Sequence, residues 1–199
     1  MNELQSQPVQ EEHPLSPFFS DEPSRLFASL VWQRQTEQAQ DLVQRGIPLN
    51  KVDPSGFCFL TFFMHLRDIE SFQRLLDWGA SPDLTSVEMA GMTPLMLSVG
   101  IPEPEFLEAC IAARGDVNRL NEDGDSALIL AAAGGNETAV RLLLAHGANV
   151  NQQGAMKTTA LHEAAKEGYR SIVDLLQAAG ANADLKDEYD ETARQLLAA

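Results

Sequence analysis

The side chains of this sequence that could carry out chemistry are four histidines, two cysteines and a surplus of carboxylates. No two of His13, His65, His146 and His162 have metal-ligand spacing. His162-Glu163 opens like a zinc-protease helix, but Ala164-Ala165-Lys166 follows where the second histidine would have to stand. Asp187-Glu188-Tyr189-Asp190-Glu191 is rich in carboxylates yet lacks the glycine turn of a calcium loop, and reads as a solvated surface. Asn121-Glu122-Asp123-Gly124-Asp125 is calcium-like in composition, but a repeat register described below accounts for it better. Cys58 and Cys110 lie among apolar neighbours without a C-x-x-C pair, as buried reduced thiols do. The sequence holds no phosphate-cradling glycine loop and no G-x-S-x-G elbow. No catalytic residue, metal ligand or cofactor is expected, and the chain is not expected to be an enzyme.

Composition narrows the ligands further. The 199 residues are 44% hydrophobic, enough for a sizeable core. With 14 Lys and Arg against 29 Asp and Glu, the formal net charge is -15, which repels nucleic-acid phosphates and anionic lipid alike. The first 22 residues contain five acidic groups and no Lys or Arg, unlike a secretory signal. No apolar run is long enough to span a membrane. A cytoplasmic monomer is the expectation, with no nucleic acid and no membrane among its partners.

The elements that hold these residues declare themselves by spacing. Thr93-Pro94-Leu95, Ser126-Ala127-Leu128 and Thr159-Ala160-Leu161 recur at a constant period of about 33 residues. Gly147-Ala148-Asn149 returns one period later as Gly180-Ala181-Asn182, and Gly46 and Gly79 are separated by the same interval. Between Gly79 and Gly147 lie two periods and two extra residues, which fall in 84–91. Thr93, Ser126 and Thr159 suit helix N-caps, and Pro94 suits the first helical position. Ala131-Ala132 and Ala164-Ala165 let two helices approach closely. Val140, Leu143, Leu144 and Ile172, Leu175, Leu176 give a second helix its apolar face. The glycines close each second helix. Trp32 and Trp78 stand at helix ends and read as packing residues.

In these positions the segments Asn121–Gln153 and Gly154–Lys186 resemble ankyrin repeats over their whole length, with Thr159-Ala160-Leu161-His162 matching the family's T-P-L-H. The resemblance implies an all-α, helix–turn–helix solenoid with hairpin-like loops, built of five repeats and a truncated C-terminal unit. The expected division is a flexible tail over 1–19 and one ankyrin-repeat domain over 20–199. Its repeats are 20–52, 53–87, 88–120, 121–153 and 154–186, with a partial unit at 187–199. In the first repeat Leu26, Phe27, Leu30 and Val31 are expected to face inward. His162 occupies the family's structural position, hydrogen-bonding between hairpins, and His146 suits a helix C-terminus. Repeats two and three depart from the pattern. Phe63-Met64 and Ser98-Val99 replace the small pair, Arg114-Gly115 stands where Gly-Ala is usual, and Pro102 and Pro104 interrupt a turn.

The resemblance also implies a concave face, formed by hairpin tips and the exposed sides of the first helices, on which a partner protein sits. Carried over by position, it offers Phe57, His65 and Leu66 in repeat two, and Met89, Met92, Ile101 and Leu120 in repeat three. Glu122, Asp123 and Asp125 follow in repeat four, and Met156 in repeat five. Exposed Met and aromatic residues suit an apolar anchor, and the acidic tip suits a basic partner. The function implied is a non-catalytic protein–protein interaction module working through repeats two to four. In its short, acidic, single-domain form the chain resembles stand-alone bacterial ankyrin proteins. An immunity or inhibitor role against a cognate toxin or effector is one alternative, and a small-molecule-binding or structural assembly subunit is another.

Overall fold

Hydroxyls ahead of apolar runs start the helices as the spacing predicts. Thr93 Oγ1 accepts from Met96 N at 3.1 Å, Ser126 Oγ from Ile129 N, and Thr159 Oγ1 from His162 N. The computed structural model describes residues 19, 21–54, 56–85 and 89–198, so the tail expected over 1–19 lies outside them except for Phe19. Phe19 is buried, and its carbonyl accepts from Arg25 Nη1. The described residues are helical, with no strands among them beyond isolated bridges at Leu120–Ser126 and Lys186–Thr192.

The chain divides into two compact units, Met1–Ile47 and Pro48–Ala199. In the first, helices α1 (Glu22–Trp32) and α2 (Thr36–Gln44) pack on each other. Asp21 caps α1 through Ser24 N. Phe27, Ala28, Val31 and Ala39 are buried. One inward expectation fails here, since Leu26 is exposed, and Trp32, read as a packing residue at the helix end, is exposed as well, because an eleven-residue helix turns only part of its surface inward.

The second unit holds α3 (Phe59–His65), α4 (Ile69–Asp77), α5 (Pro94–Ser98), α6 (Glu105–Ala112), α7 (Ala127–Ala133), α8 (Glu137–Ala145), α9 (Ala160–Lys166), α10 (Arg170–Ala178) and α11 (Ala193–Ala198). The first helices of successive pairs, α3, α5, α7, α9 and α11, lie side by side in that order. Behind them α4 packs on α6 and α8 on α10. Each pair thus buries a face that it could not bury alone, which makes this unit a solenoid.

A side-chain ladder records the period. Asn50 Oδ1 accepts from Ser81 N, Asn118 Oδ1 from Asn149 N and Asn151 Oδ1 from Asn182 N, each 31 residues on. The Asp83 carboxylate accepts from Asp116 N, 33 residues on, so the two extra residues are absorbed at that step. Phe63 and Met64, the bulky pair of repeat two, are both buried. Phe62 meets Phe63 edge to face at 5.0 Å, and Phe72 of α4 meets Phe106 of α6 at 5.1 Å. The enlarged side chains fill the space between these helices.

Repeat three differs for a stated reason. Its first helix, α5, has five residues where α7 and α9 have seven. The turn to the second helix needs a left-handed residue, supplied by Arg67 (φ 56°), Gly135 (φ 70°) and Gly168 (φ 74°). Pro102 stands at that point in repeat three, and its ring fixes φ negative. The helix therefore stops early. Arg114, by contrast, keeps the usual turn in register at φ 63°, with Arg114 N bonding Ile111 O and Gly115 N bonding Cys110 O.

Candidate functional site

Between consecutive helix pairs the chain makes short fingers, and the local sequence explains their shape. An Asx residue at the base accepts from the far side of the loop. Asp53 Oδ1 takes Phe57 N, Asn121 Oδ1 takes Asp125 N, and Asp187 Oδ1 takes Glu191 N. The backbone closes the same loops through Asp53 N to Phe57 O, Asn121 N to Asp125 O, Gly154 N to Thr158 O and Asp187 N to Glu191 O. The turn residue is left-handed in each, as a tight hairpin requires. Gly124 takes that place in repeat four at φ 91°, but Lys157 and Asp190 take it at 59° and 61°. The calcium-like Asn121–Asp125 segment is thus a finger whose Asn121 and Asp125 side chains accept from backbone amides.

The fingers are tied to one another. Glu122 N donates to Ala90 O at 3.0 Å, and Glu188 N to Met156 O at 2.8 Å. Ala155 N donates to Asp125 Oδ1 at 2.9 Å, and Gln153 Nε2 reaches Lys186 O. His162 is buried, with Nδ1 2.8 Å from Thr159 Oγ1 and Nε2 3.4 Å from Glu191 O on the next finger. His146 Nδ1 lies 2.8 Å from Leu142 O at the end of α8, a carbonyl that also accepts from His146 N at 3.2 Å. Both rings thus have local structural partners.

The remaining ionisable groups follow the same pattern. Cys58 and Cys110 are buried and unbridged. Burial, assisted by Asp83 and Cys58, pushes the Cys110 thiol well above its ordinary pKa, so it stays protonated. Hydrogen bonds from Arg141 and Ser171 lower the Glu137 carboxyl, and the two-pronged contact with Arg194 lowers Asp184. No group of three metal-ligating side chains occurs among the described residues. No helix among them is long and apolar enough to cross a membrane.

The residues expected at the interface fall into distinct settings. Leu66 is 39% exposed, Leu120 40% and Met156 57%. His65, Glu122 and Asp123 are also exposed. Phe57, Met89, Met92, Ile101 and Asp125 are half-buried. Asp125 and Met156 come together in a groove of about 450 Å³. Its walls come from the fingers of repeats four, five and the terminal unit, and from α7, α9 and α11. Sequence reasoning missed Tyr189, which lines this groove and is 73% exposed. A signal was available: Tyr189 stands one full repeat period after Met156, at the same place on its finger.

The geometry agrees with what comparison finds. A family model for ankyrin repeats, in three copies, matches residues 101–187. Human neurogenic locus notch homolog protein 2 is 31% identical over 119 residues, covering 60% of this chain and 5% of that protein. Human transient receptor potential cation channel subfamily A member 1 is 34% identical over 101 residues, covering 50% of this chain and 9% of that one. The chain thus spans less than a tenth of these curated relatives. Two crystal structures align over 85% of this chain and 88% of their own, each with a TM-score of 0.74. They are the ankyrin repeat protein EF0377, at 29% identity, and an ankyrin repeat domain from Acinetobacter baumannii AYE, at 26%. Ankyrin repeats are in general protein–protein interaction modules. Residues 101–187 thus carry ankyrin repeats, and over most of its length the chain has the fold of ankyrin repeat proteins.

Proposed function

We propose that this chain is a non-catalytic binding protein that holds a partner protein on its finger tips and first-helix faces. It acts as a monomer in the cytoplasm, with repeats divided at 20–52, 53–87, 88–120, 121–153 and 154–186. The partner meets Phe57, His65, Leu66, Met89, Met92, Ile101, Leu120, Glu122, Asp123, Asp125 and Met156. The observation that carries the reading is the exposure of Leu66, Leu120 and Met156 in a protein whose core is otherwise filled. Large apolar side chains left in water at finger and helix-end positions are anchors in search of a partner. Bonds from finger to finger hold the surface preformed, so little ordering entropy is lost on binding.

The test is a pair of exposed substitutions, Leu66→Asp with Leu120→Asp, in the tagged full chain. Cross-linking in the native host identifies the partner captured by the unaltered chain. The double variant should keep its helical circular dichroism and lose that partner by at least about tenfold. Undiminished capture by a folded variant would refute this interface.

A further inference from the structure

Met156 is held outward by an uncommon backbone. It lies at φ 51°, ψ 23°, and Lys157 beside it at φ 59°, so two consecutive residues with side chains occupy the left-handed region. Such strain persists only where the surroundings over-determine it, and it concentrates at functional sites. Here Gly154 N to Thr158 O, Ala155 N to Asp125 Oδ1 and Glu188 N to Met156 O pin the loop. Tyr189 repeats the display one finger later. Along the tip row of repeats three, four, five and the terminal unit stand Ala90, Asp123, Met156 and Tyr189, so the bulky apolar groups gather at the C-terminal end.

The floor beneath them is built from matching positions of three helices, Leu130, Glu163 and Leu196, each one repeat period from the next. Charge in this groove is one-sided. Asp125, Glu163, Asp187 and Glu191 line it against a single cation, Lys166. Backbone amides occupy the Asp125 and Asp187 carboxylates. The Glu163 and Glu191 carboxylates form no ion pair among the described residues. A groove with two uncommitted carboxylates between apolar and aromatic walls is complementary to a cation on an apolar stem.

Resting on the protein-binding reading above, we infer that the groove between the last three fingers and α7, α9 and α11 receives a basic segment of the partner. An arginine of that segment lies against Tyr189 and pairs with Glu163 and Glu191, and an apolar neighbour covers Met156. Arginine fits better than lysine, because a planar guanidinium stacks on an aromatic ring while its edge reaches carboxylates. A second copy of this chain is a poor occupant, since each carries a net charge of -15.

The test uses two synthetic peptides of equal length, one alternating Arg and Leu, the other with Glu in place of Arg. Binding is followed by fluorescence anisotropy on the full chain at low salt. The Arg peptide should bind and the Glu peptide should not. Tyr189→Ala should weaken binding about fivefold or more, and Glu163→Lys with Glu191→Lys should remove it. A charge-matched control on other helices, Glu105→Lys with Asp174→Lys, should stay within about twofold. All these sites are at least partly exposed, and circular dichroism reports retention of fold.

Four results overturn the inference: no Arg-peptide binding, Tyr189→Ala without effect, loss of binding in the control equal to that in the groove variant, or a dimer that the groove variants dissociate. The last would assign the groove to a second copy. A captured partner that is lost with Leu66→Asp/Leu120→Asp but indifferent to Tyr189→Ala sinks the groove assignment and leaves the protein-binding reading standing.

Discussion

A left-handed backbone costs a residue with a Cβ about 1–2 kcal/mol, and Arg114 bears that cost at the end of α6 with φ 63°. At the same place after α8 stands Gly147, with φ 84°. Arg114-Gly115 replaces the family's Gly-Ala here, and the second half of that pair cannot simply be restored. A Cβ on Gly115 would lie 2.7 Å from Leu95 Cδ1 and 3.0 Å from Cys110 O. Arg114→Gly should therefore stabilise the protein by about 1 kcal/mol, while Gly115→Ala should destabilise it by about 1–3 kcal/mol. Urea titrations of the two single variants read both signs. A stabilising Gly115→Ala would mean that Leu95 moves aside freely. The same scale explains what His162 joins. Its two nitrogens lie against Thr159 and the Glu191 carbonyl, so a catalytic role would require breaking the joint between α9 and the last finger.

Elements respond to single residues through what their ends leave unpaired. Because α5 stops at Ser98, the Val99 carbonyl needs a donor, and Asn136 Nδ2 of the next repeat supplies one at 2.7 Å. The same side chain caps α8, with Oδ1 accepting from Ala139 N at 3.0 Å. Asn136→Asp keeps the cap acceptor but sets a carboxylate oxygen against the Val99 carbonyl in place of the donor, so it should cost at least about 1–2 kcal/mol, and Asn136→Ala should destabilise by losing both contacts. Undiminished stability of Asn136→Asp in denaturant titrations would show that the bridge to Val99 contributes nothing. This bridge was not legible in the sequence, because it depends on where α5 ends, which Pro102 decides through space. Helix starts, helix ends and the repeat frame were legible, since N-caps, glycines and small pairs act within one turn of themselves. The groove was only half legible. Met156 and Asp125 stood out by position, but Tyr189 sits inside the acidic run 187–191, where composition suggests solvent and only the repeat register suggests a finger tip. Leu26 and Trp32 deceived for the opposite reason, since apolar type says nothing of which way a helix face turns.

Over the whole molecule the governing quantity is charge. A net charge of -15 at neutral pH repels itself across the folded surface, whereas the ion pairs that could offset it are exposed and individually weak. Lowering the pH toward the isoelectric value of about 4.5 relieves that repulsion. Two carboxyls work the other way. Glu137 and Asp184 have folded pKa values below their ordinary 4.5 and 3.8, so each contributes stability above its unfolded pKa and loses it as pH falls through the folded one. The two effects act in different windows, repulsion between pH 7 and about 5, and carboxyl protonation below about 4. At about 0.01 M salt, where the screening length is about 30 Å, Tm should therefore rise from pH 7 to about 5.5 and fall in stronger acid. At about 0.15 M salt, with screening near about 8 Å, Tm at pH 7 should already be higher and the rise toward pH 5.5 should shrink. Thermal melts followed by circular dichroism across this grid decide the matter. A Tm at pH 7 that drops when salt is added would mean that ion pairs outweigh repulsion. The acidic groove would then have to be judged as part of the protein's own stabilising network rather than as a surface kept charged for a basic partner.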